Sequence, residues 1–463
     1  MLKIGLEVHV SLNKLNTKLF CSCRIPDEDS LPNSTTCITC LGMPGSKPVL
    51  NKKAVEYALR LAMALNFKIN KEFFFSRKTY FYPDMAKNYQ ITQYEIPIGE
   101  KGHINMDSGK EIRLRRIHLE EDPGALIHHD SYVLVDYNRS GIPLCEIVTE
   151  PDISSAEEAR EFIKKLNAII GYLGIFDNKN GTIKADVNIS MDDYERVEIK
   201  NINGFQAIEK AVIYESSRQK NLIKEGKGIA TRETRGWDAD KNMTIFQRSK
   251  ESEEDYGYIF DTDLPMIELS DDYLKELKSS IPELPHEKVE RYVKNFKIDK
   301  KYAEILAAEH VLADLFEKVA KEINPELAAR WLRHELLRVV NYNKKELDDL
   351  EIDEKHVIQL LKLVENKKIT DNNAQKILEK MIEKSFDVYE YVKKNKLKVI
   401  SEESDLAGIV KEAIKESSNA VRDYKAGKQE SFNFIIGMIM KKTKGQARPD
   451  AVRKILKEEI EKA

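Results

Sequence analysis

Side chains that can bind a metal or move a proton recur two residues apart in the first half of this sequence. Residues i and i+2 of a β-strand point to the same face of the sheet, so each such pair would present two functional groups together. The four pairs are Glu7 with His9, His118 with Glu120, Asp186 with Asn188, and Glu198 with Lys200. The last two pairs are predicted to lie on neighbouring strands of a hairpin.

If these strands belong to one sheet, several carboxylates and one or two imidazoles converge on a single patch. Such a patch repels itself unless a cation lies among the acids. Oxygen ligands select Mg²⁺ or Mn²⁺, and Mg²⁺ held by carboxylates usually serves to bind phosphates. Separate surface acids on different strands are the alternative. Four pairs within one region favour the metal site.

Four of the five cysteines form a second candidate site. They follow the spacing C-x-C-x13-C-x2-C and are Cys21, Cys23, Cys37 and Cys40. In a reducing compartment such a cluster indicates metal binding rather than disulfides. Four thiolates satisfy the tetrahedral preference of Zn²⁺ and leave no position for a reacting water, so we predict a structural zinc knuckle at 21–40 rather than four unrelated thiols. The fifth cysteine, Cys145, has apolar neighbours and is predicted to be a core thiol.

Basic and aromatic residues are interleaved in two segments. Residues 76–97 contain Arg77, Lys78, Tyr80, Tyr82, Lys87, Tyr89 and Tyr94. Residues 231–258 add Arg232, Arg235, Arg248 and Lys250. Side chains of these types contact phosphates and stack on bases or riboses. Taken singly, however, they are more often surface or core positions than ligands.

The sequence argues against several common functional classes. It has no G-x4-G-K-[ST] phosphate loop, no G-x-G-x-x-G motif and no G-x-S-x-G elbow. Its 463 residues carry a formal net charge of −3, which argues against a generic basic coat protein for nucleic acids. No apolar run reaches the ~18 residues that a membrane span needs, and the first residues do not resemble a signal peptide. We therefore expect a cytoplasmic protein without a membrane partner.

The elements predicted to position these residues change in type along the chain. Alternating apolar and polar residues, as in KIGLEVHVSL and TIKADVNISM, predict half-buried strands within residues 1–290. Apolar residues spaced by three and four predict helices in NKKAVEYALRLAMALN and SSAEEAREFIKKLNAIIGYLG, the second with a capping box at Ser155 and Glu158. Strands in blocks with helices beside them indicate an α+β domain with a mostly antiparallel sheet.

The remainder of the chain is predicted to be helical. Pro282 and Pro285 indicate a hinge, and a weaker break at 396–408 separates a helical domain at 291–400 from a small helical tail domain at 401–463. Residues 422–457 carry ten basic and three acidic side chains, a net charge of +7. A concentrated basic patch is typical of nucleic-acid binding. A solvated helix face is the alternative, and charge alone does not decide between the two.

These motifs together resemble those of a known family, the B subunits of the tRNA-dependent aspartyl/glutamyl amidotransferases. The matching segments occur in order over residues 5–258 and are GLEVHV, RKTYFYPDMAKNYQITQ, HLEEDPG, DYNRSGIPLCEIVTEPD, KADVNIS, VEIKNINGF, TRETRGWD and SKESEEDYGY. The tail segment GKQESFNFIIGMIMKKTKGQARPDAVRKILKEEI resembles the C-terminal domain of the same family. The related E subunit of the archaeal two-chain enzyme has an inserted domain for which this chain is too short.

The resemblance implies an activity. Such a subunit has a cradle-like catalytic domain, here at 1–290, that binds a tRNA misacylated with Asp or Glu and phosphorylates the side-chain carboxylate with ATP and Mg²⁺. Ammonia then displaces the phosphate to give Asn-tRNA(Asn) or Gln-tRNA(Gln). Phosphorylation makes a good leaving group from a poor one, so no protein nucleophile is required. Which misacylated tRNA is used stays open, because one methylene is worth only ~1–3 kcal/mol of discrimination.

The resemblance also assigns roles to individual positions. The predicted catalytic residues are Glu7, His9, Lys78, Tyr80, Lys87, Glu120 and Glu121, and three of them (Lys78, Tyr80 and Lys87) fall where the family lines its active site and ammonia passage. The predicted Mg²⁺ ligands are Glu7, His9, Glu121, Asp186 and Glu198, with Glu120 in the same group. The predicted substrate-binding residues are Arg139, Lys200, Asn201, Arg232 and Arg235. The four cysteines match the zinc-bearing branch of the family. Some members lack them, so zinc is not needed for the chemistry.

Ammonia must come from another chain, because the sequence has no Gly/Ser-rich amidase segment and no cysteine placed with an activating histidine. The family implies an amidase-type A subunit as the ammonia source and a small C subunit that ties the two together in a heterotrimer. A non-catalytic subunit that binds tRNA or acts as a scaffold, with a structural zinc and unused acids, is the competing interpretation. The intact set of acids in all of its motifs favours the enzyme.

Overall fold

The computed structural model describes residues 1–27, 29–177, 183–192, 194–249, 257–345, 347, 350, 352–399, 403–443 and 446–462. The chain divides into two compact units, Met1–Leu284 and Pro285–Ala463. The first unit contains all the described strands, and the described elements of the second are helices. The predicted α+β class is confirmed. The further division of the helical part at residue 400 stays a prediction.

The strands lie in the first unit. They are β1 (Leu2–Ser11), β2 (Lys68–Ile69), β3 (Glu72–Phe73), β4 (Ser76–Thr79), β5 (Tyr89–Thr92), β6 (Gly99–Asn105), β7 (Glu111–Glu121), β8 (Ala125–His128), β9 (Val133–Asp136), β10 (Pro143–Thr149), β11 (Lys184–Met191), β12 (Val197–Asn203), β13 (Glu233–Asp238), β14 (Met243–Ser249), β15 (Tyr258–Phe260) and β16 (Ile267–Glu268). The helices of this unit are α1 (Lys52–Ala64), α2 (Ala156–Leu173), α3 (Phe205–Lys224) and α4 (Asp271–Ser279).

Nine strands form one sheet in the order β14-β13-β12-β11-β1-β10-β7-β6-β2. Neighbours in it are antiparallel except for β12 and β13, which run parallel. A parallel pair needs a crossover, and α3 provides it. The first strand of the chain, β1, lies between β10 and β11. The remaining strands form the sheet β15-β4-β5 and the ribbons β16-β3 and β8-β9.

Strict alternation divides the sheet into an apolar face and a polar face. In β1, Ile4, Leu6, Val8 and Val10 are at most 1% exposed and belong to the core, while the residues between them point the other way. The helices α1, α2 and α3 contribute their apolar stripes to the same core. The polar face is therefore the one that points away from these helices, and it carries Glu7 and His9.

The predicted helix starts are close to those observed. Asn51 caps α1 by accepting from the backbone N–H groups of Lys53 and Ala54. Ser155 caps α2 by accepting from Glu158 N at 3.1 Å, as predicted. The reciprocal half of the box is shifted by one residue, because the Glu158 carboxylate accepts from Ser154 N at 2.9 Å. An N-cap bond of this kind is worth about 1 kcal/mol.

The second unit is built from short helices. They are α5 (Pro285–Arg291), α6 (Lys300–Leu306), α7 (His310–Val319), α8 (Pro325–Trp331), α9 (Leu337–Tyr342), α10 (Glu354–Glu365), α11 (Asp371–Glu383), α12 (Val388–Lys394), α13 (Glu403–Glu416), α14 (Ser418–Lys425), α15 (Gln429–Lys442) and α16 (Pro449–Lys462). Two π-helical turns, Tyr292–Phe296 and Leu332–Leu336, follow α5 and α8. Buried residues between Leu406 and Ile460 form a hydrophobic core of their own. Among the described helices, none combines the length and apolar character that crossing a membrane requires.

Candidate active site

A cavity of about 440 Å³ lies on the polar face of the nine-stranded sheet. Its floor consists of alternate residues from five adjacent strands: Gly5 and Glu7 of β1, Glu146 and Val148 of β10, His118 and Glu120 of β7, Asn188 and Ser190 of β11, and Glu198 and Lys200 of β12. The four sequence pairs thus converge on one face, as predicted from their spacing. Two groups of potential metal ligands lie on this face of the sheet, and all of their members except His9 and Asp186 line the cavity.

The first acidic group consists of Glu7, Asp186 and Glu198. One carboxylate oxygen from each lies within 4.8 Å of the others. The pairing of β1 with β11 places Glu7 directly opposite Asp186. The strands β11 and β12 pair as the predicted hairpin, and their register shifts at Asp186. Lys200 lies among these acids, with Nζ 3.1 Å from Asp186 Oδ2 and 3.4 Å from Glu198 Oε1.

The second acidic group consists of His9, Glu120 and Glu146, whose ligand atoms also lie within 4.8 Å of one another. The register places Glu146 opposite His9 on one side and His118 on the other. Its Oε2 is 3.5 Å from His9 Nε2 and 3.4 Å from His118 Nε2. Thr92 Oγ1 donates to Glu120 Oε2 at 2.9 Å. Two imidazoles and two carboxylates therefore share one network, in which His118 and Glu120 are buried and His9 and Glu146 are partly buried.

The contacts within this network shift the pKa values of its members. Burial by itself lowers the pKa of His9, but the hydrogen bond to Glu146 and the nearby charges of Glu146, Asp186 and Glu120 raise it to about 9. Burial raises the pKa of the Glu146 carboxyl, but His118 and His9 outweigh it and hold that pKa well below its ordinary range. Burial also raises the pKa of Glu120, but the hydrogen bond with His118 outweighs this effect, so the pKa of Glu120 is lowered. The acids are thus ionised and the imidazoles favour the protonated form.

The donor atoms on this floor fit a divalent cation. Carboxylate oxygens at this spacing are the ligands that Mg²⁺ prefers. Asn188 donates from Nδ2 to Glu7 Oε1 at 2.7 Å, while its own Oδ1 is buried without a hydrogen-bond partner among the described residues. A buried carbonyl oxygen without a donor is costly unless another positive group approaches it. Lys200 and the two imidazoles bring positive charge to the same acids.

Cationic and aromatic side chains line the rest of the cavity. The basic ones are Lys3, Lys78, Arg115, Arg116, Arg196 and Arg248. Nε of Arg196 is buried and has no hydrogen-bond partner in the described part of the chain. Tyr94 and Tyr258 stack with ring centroids 3.9 Å apart. The cavity thus joins an acidic floor to basic walls, which is the arrangement that a metal-bound polyphosphate needs.

Glu121 lies apart from the two acidic groups. It follows Glu120 directly, so strand alternation turns it to the opposite face of β7. There, Lys87 Nζ lies 2.5 and 2.7 Å from its two carboxylate oxygens, and Ile91 N donates to Oε1 at 2.9 Å. Both side chains are at least 93% buried. The predicted role of Glu121 as a Mg²⁺ ligand therefore lacks geometric support, whereas its proximity to Lys87 was not foreseen.

The other predicted positions are divided between the cavity and the scaffold. Lys78 lines the cavity, and the Tyr80 ring lies 5.9 Å from that of Tyr82. Arg139 donates to the carbonyl groups of Pro123 and Gly124 and pairs with Asp122 at 3.3 Å, so it holds a turn.

The remaining predicted substrate-binding residues also divide. Arg232 pairs with Glu195 at 3.3 Å, and Arg235 donates to Thr244 Oγ1 at 2.9 Å. Neither lines the cavity, whereas Lys200 does. The side chain of Asn201 lies outside what the structure describes.

Glu146 is the main functional candidate that sequence reasoning missed. It is the single acid in the apolar strand PLCEIVT, so it has no partner at i+2. Its partners, His9 and His118, lie on the neighbouring strands and are reached only through the register. A lone carboxylate in an otherwise apolar strand was the signal that was available.

The four cysteines form a third ligand group, with sulfur atoms within 4.8 Å of one another. The N–H of Cys37 donates to Cys40 Sγ at 3.1 Å. The hydrogen bond with Cys21 lowers the pKa of Cys40 to about 4, and burial together with Cys37 raises the pKa of Cys23 to about 12. Four crowded sulfurs that share protons in this way fit a tetrahedral metal, since a divalent ion would deprotonate all four.

We expect Cys40→Ser to lose about one zinc per chain and to lower the melting temperature, because a structural site couples metal binding to folding. Elemental analysis of carefully purified protein measures the first effect and thermal unfolding the second. Cys145→Ala is the matched control, since Cys145 is buried in the core outside the cluster and should leave the zinc content unchanged. Absence of zinc from the unsubstituted protein would contradict the prediction.

Each of the two units contains a segment that matches a known protein family. A family model described as the GatB/GatE catalytic domain matches residues 2–275, and one described as the GatB domain matches residues 314–460.

Several proteins are similar to this chain over nearly its whole length. The B subunit of the aspartyl/glutamyl-tRNA(Asn/Gln) amidotransferase of Thermotoga neapolitana is 41% identical, over 99% of this chain and 98% of its own length. The proteins of the same name from Sulfolobus acidocaldarius and Haloquadratum walsbyi are 43% and 41% identical, each over 99% of this chain, and over 100% and 97% of their own lengths.

Proposed function

Because the chain belongs to the family of aspartyl/glutamyl-tRNA(Asn/Gln) amidotransferase B subunits, we propose that it activates the side-chain carboxylate of misacylated Asp-tRNA(Asn) or Glu-tRNA(Gln) for amidation. A carboxylate oxygen takes the γ-phosphoryl group of ATP and ADP leaves; ammonia then attacks the acyl carbon, which gives the amide and releases inorganic phosphate. The observation that carries the proposal is the convergence of two acidic groups beneath the basic walls of one cavity.

The residues of the cavity divide into binding and positioning roles. Mg²⁺, held by Glu7, Asp186 and Glu198 or by His9, Glu120 and Glu146, would neutralise the charge that moves with the phosphoryl group. The basic side chains on the walls, among them Arg196, orient the phosphates. In-line phosphoryl transfer needs little covalent chemistry from the protein, so positioning of this kind supplies most of the catalysis.

Ammonia is supplied by a partner in this proposal. An amidase-type A subunit hydrolyses glutamine, and a small C subunit completes a heterotrimer with this chain. Lys78, Tyr80 and Lys87 are assigned to the active site and the ammonia passage. The buried Lys87–Glu121 pair supports this assignment, because a buried polar pair offers hydrogen bonds where bulk water does not reach.

The proposal is tested by trapping the activated carboxylate. The heterotrimer, ATP, Mg²⁺ and misacylated tRNA are incubated with hydroxylamine in place of glutamine. An acyl phosphate reacts with hydroxylamine to give a hydroxamate and inorganic phosphate, so both products should appear and both should require the misacylated tRNA. If this chain were only a tRNA-binding scaffold, neither product would depend on its acidic groups.

The basic tail is expected to bind tRNA. Lys425, Lys441 and Lys454 are exposed and form no ion pair within the described residues. Replacing all three with glutamine should raise the Kd for tRNA and flatten its dependence on salt. Each lost phosphate contact should reduce the slope of log Kd against log salt concentration by about 1.

The matched control for the tail is a triple glutamine variant of Lys376, Lys393 and Lys394, which are exposed lysines outside the basic segment. We expect its tRNA affinity and salt slope to stay close to those of the unsubstituted protein. Equal salt slopes for the two triple variants would mean that the tail is a solvated helix face.

A further inference from the structure

Lys18 is a fully buried lysine next to the four-cysteine group. Its side chain is 0% exposed, and Nζ lies 3.8 Å from Cys40 Sγ and 3.4 Å from the carbonyl oxygen of Tyr137. No carboxylate among the described residues lies within ion-pair distance of this ammonium group. Its hydrogen-bond partners are therefore one sulfur and one neutral carbonyl.

Burial of an uncompensated ammonium group is strongly unfavourable. The other deeply buried lysine in the same unit, Lys87, shows the usual solution, because Glu121 lies 2.5 Å from its Nζ. Lys18 lacks such a carboxylate. Within 4 Å of its Nζ in the described part of the chain, the group that can carry a compensating negative charge is Cys40 Sγ at 3.8 Å.

The charge of a loaded zinc site meets this need. Four thiolates around one Zn²⁺ leave two negative charges, which burial would penalise without a nearby cation. Lys18 brings one positive charge to Cys40, which is the most buried of the four cysteines. The ammonium group and the thiolates thus compensate each other's charge. Without its counterpart, each would be a buried charge without compensation.

The surrounding backbone fixes Lys18 in this position. Gly141 has a φ of +86°, and a Cβ there would lie 3.5 Å from Lys18 Cδ, 3.6 Å from Cys40 Cβ and 3.9 Å from Glu121 Oε2, whose carboxylate pairs with Lys87. Leu19 N donates to Gly141 O at 2.8 Å, and Ser140 Oγ donates to the carbonyl of Cys40. The segment that leads into β10 therefore holds the lysine stem against the cysteine that its ammonium group contacts.

We infer that Lys18 is a positioning residue for the zinc site: a buried counter-charge that the four thiolates require for tight metal retention. The inference rests on the predicted zinc and is independent of the proposed amidotransferase chemistry. Groups that hydrogen-bond metal ligands commonly contribute about 10–100-fold to metal affinity.

The first experiment measures zinc affinity by chelator competition in the full-length protein. Lys18→Met, which keeps the length of the side chain, should weaken zinc binding by about 10–100-fold. Lys18→Arg keeps the charge and should retain most of the affinity. Lys288→Met is the control, because Lys288 is also buried but pairs with Glu317 in the helical unit, so zinc binding should not change. Equal affinity in Lys18→Met and the unsubstituted protein would overturn the inference.

A second experiment separates charge compensation from simple packing. In the zinc-loaded protein, Lys18→Met should lower the melting temperature. In a background with all four cysteines replaced by serine, the same substitution should raise it, because it then removes a buried charge without a counter-ion. A decrease of equal size in both backgrounds would mean that Lys18 only fills space. If Lys18→Met does not fold, Lys18→Gln replaces it in both experiments with the same expected signs.

Discussion

Glu7→Gln should abolish tRNA amidation by the reconstituted heterotrimer while leaving glutamine hydrolysis by the partner at least partly intact. Glu7 belongs to the first acidic group and accepts a hydrogen bond from Asn188. Loss of one negatively charged oxygen weakens the binding of Mg²⁺, which would neutralise the phosphates. The transition state should thereby lose several kcal/mol of stabilisation. The rate of amidation should therefore fall by about a thousandfold or more.

The structure also defines the control for this variant. Glu100→Gln removes an exposed carboxylate from the edge region of the same sheet and should leave amidation unchanged. Thermal unfolding without Mg²⁺ should show that Glu7→Gln is no less stable than the unsubstituted protein, since the substitution relieves repulsion among three acids. Normal amidation by Glu7→Gln would refute the assignment of this acidic group.

Lys87→Met should destabilise the first unit by about 3–5 kcal/mol, because it leaves the Glu121 carboxylate buried without its cation. For a unit of this size the melting temperature should fall on the order of 10 °C. The double variant Lys87→Met/Glu121→Gln removes both charges and should recover most of the loss. By contrast, Lys53→Met breaks an exposed pair with Glu56 and should change stability by less than about 1 kcal/mol.

The double variant also tests the proposed ammonia passage. If the Lys87–Glu121 pair lies along that passage, the double variant should lose amidation driven by glutamine while keeping amidation driven by added ammonium. If amidation is lost with both ammonia sources, the pair belongs to the active site itself. If amidation is unchanged with both sources, the pair has only a structural role.

The positions that sequence reasoning located best are those fixed by the geometry of a single strand. Glu7 with His9, and His118 with Glu120, follow from a two-residue period and from nothing else. The same rule applied to two adjacent acids would have separated Glu121 from Glu120, which the motif HLEEDPG had kept together. Glu146 depends on the register between strands that lie far apart in the chain, and no local pattern encodes that register.

Several residues taken from shared motifs without a geometric argument do not line the cavity. Arg139, Arg232 and Arg235 belong to segments that mark the family, yet their guanidinium groups hold a turn, pair with Glu195 and support a hairpin, respectively. Arginines satisfy several backbone and carboxylate oxygens at once, so they serve a scaffold as readily as a substrate. Motif membership alone does not distinguish these uses.

The central position of β1 determines when the acidic floor can form during synthesis. This strand leaves the ribosome well before both of its neighbours, which are residues 143–149 and 184–191. At about 5–20 residues per second, Glu7 precedes its partner Asp186 by roughly 10–40 s. Until β10 (residues 143–149) emerges, β1 has neither of its neighbours to pair with, and pairing over so long a separation is intrinsically slow. The acidic floor can therefore be complete only after residues 184–203 have been synthesised and have joined the sheet.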